Sequence, residues 1–418
     1  MSKQSSVDHT TMREMNLALV LNTLRQHKVI SRAEIARLTG LQKATVSSLI
    51  KELLAKNYVM ELGIDSSSNQ VGRPSNKLGL NPDAGCIIGA EIGVDFINVI
   101  ATDFAANICR EHQESTIGLM ANQDAILNRA TDIIQDFQMA ISQQNHPIFG
   151  IGLGLPGLVN AHTGTLLFAP NLGWRDVPIG EWMENHFHLP VYVDNEANLA
   201  ALGETYFGAG QDYDFILYIV SGIGLGGGVV LNGQLMTGSA GFAGEFGHMT
   251  VDPTGLRCNC GNSGCWETVA SQNAVFRRVR EAIAIGTSSS LMEATNGDLT
   301  KLTIKMITEA AQNGDQLALR ALEDTGFWLG IGIANLINAL NPKRVVIGGI
   351  LSQAEKILLP IIEEVVCQRA LQWPCENTDI VIAKYGAQSC VIGGVAAVYR
   401  KVLSQPNDWM SQSRNQRS

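Results

Sequence analysis

The sequence predicts an α/β protein carrying a small N-terminal winged helix-turn-helix. Three observations support this. Beyond Gly85, strand-like apolar runs alternate with helical stretches. Ahead of that point, short segments with helical apolar spacing surround a glycine turn. The charge is also divided. Residues 1–80 hold 11 Lys+Arg against 6 Asp+Glu, and the remainder 19 against 33, within a net charge of −9. A basic head on an acidic body points to nucleic acid contacted by the head alone. The 418 residues, 45% hydrophobic and 17% charged, suffice for two or three domains with a large core.

The head, residues 1–80 with its linker, comes first. Leu17, Val20, Leu21 and Leu24 recur at helical spacing. SRAEIARLTG follows, with Ser31 and Glu34 in a capping-box pattern and Gly40 as the stop. A third helix runs through QKATVSSLIKELL and buries Val46, Leu49, Ile50 and Leu53. Its other face presents Gln42, Lys43, Ala44, Thr45, Ser47, Ser48 and Lys51. Small side chains there admit the helix to a major groove, and the lysines reach phosphates. YVMELG and NKLGL read as two strands of a wing joined by DSSSNQVGRPS. Within that loop, Gly72–Pro74 either sets Arg73 for an adjacent minor groove or forms a linker turn. The bland alternative for the head is a three-helix packing unit without DNA.

In the body, CIIGAEIGVDFINVIATDF reads as two strands turning near Gly93, with a helix around Ala125–Ile141. IFGIGLGLPGLV is a strand ending in a loop at Pro156–Gly157, and VYVDNEANLAALGETYFG passes from strand into helix. FILYIVSGIGLGGGVVLNGQ gives two strands around a glycine turn. KRVVIGGIL is a strand, and CVIGGVAAVYRKVL a closing helix. Two glycine turns join strand to strand, unlike the strand-to-helix loop of a dinucleotide fold. Such hairpins commonly mark only a tight bend. No run reaches the roughly 18 apolar residues of a membrane span. MSKQSSVDHTTMREMN lacks a signal-like apolar run, so a cytoplasmic protein with reduced thiols is expected. Cys86, Cys109, Cys367, Cys375 and Cys390 are expected to be buried thiols.

HMTVDPTGLRCNCGNSGC is different. His248, Cys258, Cys260 and Cys265 form a His-plus-three-Cys set, and Gly261 and Gly264 permit the turns that close it. Four protein ligands leave no open position, so the expected Zn2+ is structural and not catalytic. The alternative is four unmetallated side chains. Glu245 lies one turn before His248, and Glu267 just after Cys265. Carboxylates and an imidazole in a cleft suit sugar hydroxyls. Asn171, Asn195 and Glu196 are polar residues at strand or loop ends in the same half, and could equally be solvated loop positions.

GFAGEFGHMTVDPTGLRCNCGNSGCWE resembles the signature of the ROK family, named for repressors, open reading frames and kinases. The resemblance extends through IGLGLPGLVN, PNLGW, VDNEANLAALGE, the glycine hairpin and RVVIGGIL. It implies a two-lobed actin-like (sugar-kinase) fold of ribonuclease H-like lobes. Residues 81–195 with 388–418 would form one lobe, and 196–387, with the zinc loop, the other. Monosaccharide would sit in the cleft on Asn195, Glu245, His248 and Glu267, with Asn171 and Glu196 beside them. Zinc would take His248, Cys258, Cys260 and Cys265. The fused head resembles the family's repressor branch, and VDNEANLAALGE with CWET its xylose-type members; glucose and N-acetylglucosamine stay open as effectors. A homodimer or higher homo-oligomer on a double-stranded operator is implied, with no membrane partner.

Family kinases carry an Asp-Leu-Gly-Gly-Thr phosphate loop and an Asn-Asp-Ala-Asn base motif. Here stand Glu91-Ile92-Gly93-Val94-Asp95 and Asn195-Glu196-Ala197-Asn198. Val94 and Asp95 oppose a triphosphate by bulk and like charge. One extra methylene at Glu196 shifts the carboxylate by about 1 Å, a displacement that can cost about 10²-fold in rate. A sugar-responsive DNA-binding regulator is therefore expected, not an enzyme. The alternatives are an ATP-dependent sugar kinase and a regulator answering to a protein partner. The sign of the sugar's effect on DNA binding is open at this stage.

Overall fold

A computed structural model of the protein describes residues 9–64, 76–119 and 122–404. The head contains α1 (His9–His27), β1 (Ile30–Ser31), α2 (Arg32–Thr39), α3 (Lys43–Ala55), β2 (Val59–Ile64) and β3 (Asn76–Leu80). Ser31 starts α2 with both halves of the expected capping box, and Gly40 ends it at φ 70°. Val46, Leu49, Ile50 and Leu53 of α3 join Leu17, Val20, Leu21 and Leu24 of α1 in one core. The three strands pair antiparallel in the order β1-β3-β2, giving the wing. Arg73 and the rest of its loop lie outside the described residues.

The body repeats one plan twice. β4 (Cys86–Ile92), β5 (Phe96–Asp103) and β6 (Ile108–Ser115) form an antiparallel meander. After α4 (Gln123–Gln143), β7 (Ile148–Leu155) returns parallel to β4. A small sheet of β8 (Leu158–Asn160), β9 (Thr165–Ala169) and β10 (Trp174–Val177) follows, then α5 (Ile179–Phe187). β11 (Val191–Asn195) adds parallel to β7, giving the order β11-β7-β4-β5-β6. Next, α6 (Glu196–Phe207) leads to a second meander of β12 (Phe215–Ser221), β13 (Leu225–Leu231) and β14 (Gln234–Leu235). Helices α7 (Glu267–Ala270), α8 (Gln272–Ala284), α9 (Leu291–Ala294), α10 (Ile304–Gln312) and α11 (Gln316–Leu340) precede β15 (Arg344–Gly348). With α12 (Glu355–Arg369), α13 (Gln372–Glu376) and β16 (Asp379–Ile382), the second sheet reads β14-β13-β12-β15-β16. α14 (Ser389–Ser404) then returns to the first lobe. The matched strand orders make the body two-lobed and ribonuclease H-like, as the resemblance implied.

Parallel neighbours need crossovers, and helices supply them. α4 and α5 cover one face of the first sheet with Ile133, Ile134, Phe137, Met183 and Phe187. α8, α10, α11 and α12 cover the outer face of the second. Between the sheets lie α6 and α14, packed on each other, α14 against β4 and β7, and α6 against β12 and β13. Glycine makes this seam thin. A Cβ on Gly152 would lie 2.1 Å from the Gly394 carbonyl, and one on Gly393 1.8 Å from that of Leu199. The cysteine expectation needs correction. Cys86 and Cys390 are buried, but Cys109 and Cys367 are exposed and Cys375 is half-buried. Cys109 lies on an edge strand whose side chains face mostly outward, and the other two sit at helix ends. No helix among the described residues is long and apolar enough to cross a membrane.

Two segments, 208–214 and 383–388, pass between the lobes, and Glu204 of α6 holds both. Its fully buried carboxylate accepts from Ala209 N (2.7 Å), Lys384 N (3.1 Å), Tyr385 N (2.9 Å) and Ser389 Oγ (2.9 Å). A Cβ at Gly208 would meet that carboxylate at 2.0 Å. Glu91, at the end of β4, is a contrasting case: 7% exposed, with an Oε2 that has no hydrogen-bond partner. Burial pushes its pKa up to about 8.

These two carboxyls give opposite predictions. Glu204→Gln turns a donor-bearing amide toward backbone N–H groups. It should cost roughly 3 kcal/mol in denaturant unfolding; a loss within experimental error contradicts the clamp. Glu91 keeps its proton in the fold while the unfolded chain releases it near 4.5. Stability therefore falls as pH rises from about 4.5 to about 8. Glu91→Gln should flatten that decline and leave the variant more stable than the parent at pH 8, as thermal midpoints across the range would show.

Candidate functional site

The loop between β14 and α7 folds on itself. Val251 N donates to Gly264 O (2.9 Å), Gly264 N to Leu256 O (2.8 Å) and Cys258 N to Asn262 O (2.8 Å). Gly261 and Gly264 take φ values of 95° and 72°, and a Cβ on Gly264 would lie 1.6 Å from Asp252 O. This fold-back gathers His248, Cys258, Cys260 and Cys265, with one imidazole nitrogen and the three Sγ atoms all within 4.8 Å of one another. Two edges of the group are 3.7 Å (His248 Nδ1 to Cys258 Sγ) and 3.6 Å (Cys260 Sγ to Cys265 Sγ). A tetrahedron with metal bonds of about 2.0–2.3 Å has edges of roughly 3.4–3.8 Å, so the donor set fits a bound metal ion. The Cys260 N–H donates to Cys258 Sγ (3.4 Å).

Acidic groups surround the histidine. Glu245 Oε2 lies 3.9 Å from His248 Nε2, the nitrogen turned away from the thiols. Glu267 is closer to the metal set than its sequence position suggested. Its Oε1 is 3.6 Å from His248 Nδ1 and accepts from Cys258 Sγ at 2.8 Å. The glycine hairpin supports this arrangement from below. Gly227 lies flat against the Phe246 ring, where a Cβ would sit 2.6 Å away, and Gly226 and Gly228 face Ala197 and Ala201 of α6. Three of the hairpin glycines are thus spent on close packing.

Asn195 caps α6. Its Oδ1 accepts from Ala197 N (2.8 Å) and Asn198 N (3.3 Å), while Nδ2 donates to Gly157 O (3.0 Å) and Glu196 Oε2 (3.2 Å). The amide is fully engaged and steers Glu196. The Glu196 carboxyl is pushed up to about 8 by burial, with Glu91 and Glu245 adding like charge. Glu91, Glu196, Glu245, His248 and Glu267 thus form one electrostatically linked row from β4 to the His–Cys loop. Asn171 stands apart on the exposed turn between β9 and β10. Sequence reasoning treated Glu91 only as a departure from a phosphate loop. Its burial beside Glu196 is a tertiary property that no local spacing encodes.

In the head, Gln42, Lys43, Ala44, Ser47, Ser48 and Lys51 are exposed along one face of α3, and Thr45 is half-buried at its edge. The opposite face is the buried Val46–Leu53 stripe. The face offers two cations and small hydroxyls to a groove.

The ROK family pattern matches residues 87–401, and a winged helix-turn-helix DNA-binding pattern matches 19–60. The xylose repressor of Caldicellulosiruptor bescii is 37% identical over 400 residues, covering 96% of this chain and 99% of that protein. A crystal structure of a ROK family transcriptional regulator, a homolog of the E. coli MLC protein, superposes with a TM-score of 0.79 at 29% identity, covering 96% of this chain and 99% of that one. A ROK family glucokinase from Streptomyces griseus, solved with glucose and AMPPNP, gives 0.67 at 31% identity over 74% of this chain and 98% of its own. The chain belongs to the ROK family and carries a winged helix-turn-helix ahead of its ROK domain.

Proposed function

We propose that this chain is a cytoplasmic, xylose-responsive repressor that binds an operator as a homodimer and releases it when sugar enters the interlobe cleft. One observation supports this most strongly: the likeness to a named xylose repressor runs through head and body together, over 96% of the chain. Glu245, Glu267, Glu196 and the Nε2 of His248 are the sugar contacts in this reading. Asn195 acts by holding Glu196, and Asn171 closes over the sugar from its turn. Zinc on His248, Cys258, Cys260 and Cys265 would anchor the imidazole and supply no chemistry of its own. Gln42, Lys43, Ala44, Thr45, Ser47, Ser48 and Lys51 meet the major groove, and Arg73 the minor groove.

The likeness to a glucokinase favours a second reading, an ATP-dependent sugar kinase. Two features weigh against it. A Cβ at Gly93 would overlap the Phe96 ring at 2.3 Å, so the β4–β5 turn is filled by its own side chain. Glu196, in the place of the family's Asp base, is one methylene longer, which displaces its carboxylate by about 1 Å.

In a panel of D-xylose, D-glucose and N-acetyl-D-glucosamine, D-xylose should raise the thermal midpoint most. It should also weaken binding to a duplex selected from a random pool by about 100-fold, equivalent to about 2.7 kcal/mol of coupling. Metal analysis should return one zinc per chain, lost in Cys265→Ser together with the sugar's thermal shift. Phosphorylation of any panel sugar by ATP at about 1 s⁻¹ or faster would overturn the reading in favour of the kinase.

A further inference from the structure

The head is bolted to the hinge. α6 spans 12 residues, about 18 Å. Its first residue, Glu196, belongs to the acidic row of the cleft, and its last two, Tyr206 and Phe207, meet the head. Arg25, in the last turn of α1, donates from Nη1 to the Tyr206 carbonyl. Its guanidinium lies over the Tyr206 ring (4.4 Å to the centroid) and near that of Phe207 (5.8 Å). The neighbouring Gln26 donates to Asp212, which sits on the first interlobe segment. The second segment reaches the same spot. Lys384 Nζ and Tyr385 Oη donate to the Phe207 carbonyl at 3.0 and 3.2 Å. The Glu204 carboxylate, one turn before Phe207 on α6, holds the backbone of both segments.

We infer that Arg25 is a positioning residue that couples the cleft to the DNA-binding head: lobe closure turns α6 and the 208–214 segment, and Arg25 and Gln26 carry that movement into α1. α1 packs directly on α2 and α3, so α3 moves with it. This inference rests on the proposed sugar-responsive regulation. Sugar binding and DNA binding use other residues, so loss of Arg25 should spare each and break the link between them.

The test uses the full-length chain, D-xylose and the selected duplex. Arg25→Met should keep the xylose thermal shift, and should keep duplex affinity without sugar within about threefold, yet lose at least tenfold of the sugar-induced change in that affinity. Arg25→Lys, which keeps the charge without the planar stack, should recover part of it. Gln26→Ala, at an exposed position, should reduce the change without altering the fold. A parent that responds to xylose and an Arg25→Met variant that responds equally would overturn the coupling alone. A parent whose duplex affinity ignores all three panel sugars would overturn the regulatory reading and the coupling with it.

A second observation is independent of the cleft. Cys367, late in α12, and Cys375, in α13, hold their Sγ atoms 3.0 Å apart, the first exposed and the second half-buried. We propose that this dithiol is a reversible oxidation site for peroxide. One thiolate attacks a peroxide oxygen and releases water, and the second thiol then displaces the sulfenic oxygen as another water. The two thiols thereby lose two electrons and two protons, and an S–S bond forms. Peptide mapping after hydrogen peroxide should find a 367–375 cross-link, two hydrogens lighter and reversed by dithiothreitol. Cys375→Ser should leave Cys367 as a sulfenic acid or mixed adduct. If both thiols remain separately alkylatable at peroxide doses that oxidise the exposed Cys109, the proposal fails.

Discussion

The fold depends on how one buried carboxylate is satisfied. Glu204 takes three backbone N–H groups from the 208–214 and 383–388 segments and a serine hydroxyl from the start of α14. A buried carboxylate without partners is costly; one with four donors fixes whatever supplies them. Because those donors are the crossovers, Glu204 fixes the hinge. The glycine contacts of β7, α6 and α14 let the sheets approach that hinge closely enough for two helices to fill the gap. The lobes thus meet across α6 and α14, with Glu204 tying the segments that flank these helices.

The cleft uses the opposite strategy. Glu91 is buried with one oxygen unpartnered, Glu196 has Glu91 and Glu245 as acidic neighbours, and burial pushes both carboxyls up to about 8. Such a row is unfavourable when empty and suited to a ligand rich in hydroxyls, which can both donate and accept. The His248–Cys258–Cys260–Cys265 loop stiffens one end of the row, and the Asn195 cap stiffens the other.

Much of this was legible in the sequence. The head's helices, the capping box at Ser31, the stripe of α3 and the clustering of His248 with three cysteines are local patterns, and each appears where spacing placed it. The missed elements have physical reasons. β6 is an edge strand with mostly exposed, charged residues, so its alternation is faint. α11 carries apolar residues over most of its circumference for 25 residues, which blurs helical periodicity. The hairpin glycines read as a tight bend, and packing against Phe246 and α6 is what they do. Glu267 reads as a sugar contact, yet one of its oxygens is against a thiol. Glu204 only closes the VDNEANLAALGE string, with no role legible there, and Arg25 lies in no motif. Their partners lie about 180 residues away in sequence, and only the assembled hinge shows their roles.

The central claim is that the cleft, the Glu204 hinge and the first helix of the head move as one linked system. Hydrogen exchange on the full-length chain, with and without D-xylose, measures this most directly. Slowed exchange around 245–267 should be accompanied by altered exchange at 204–210 and 383–389, and in the α1 turn at 21–28. Protection confined to the cleft, with the hinge amides and α1 unchanged at saturating sugar, would contradict the account.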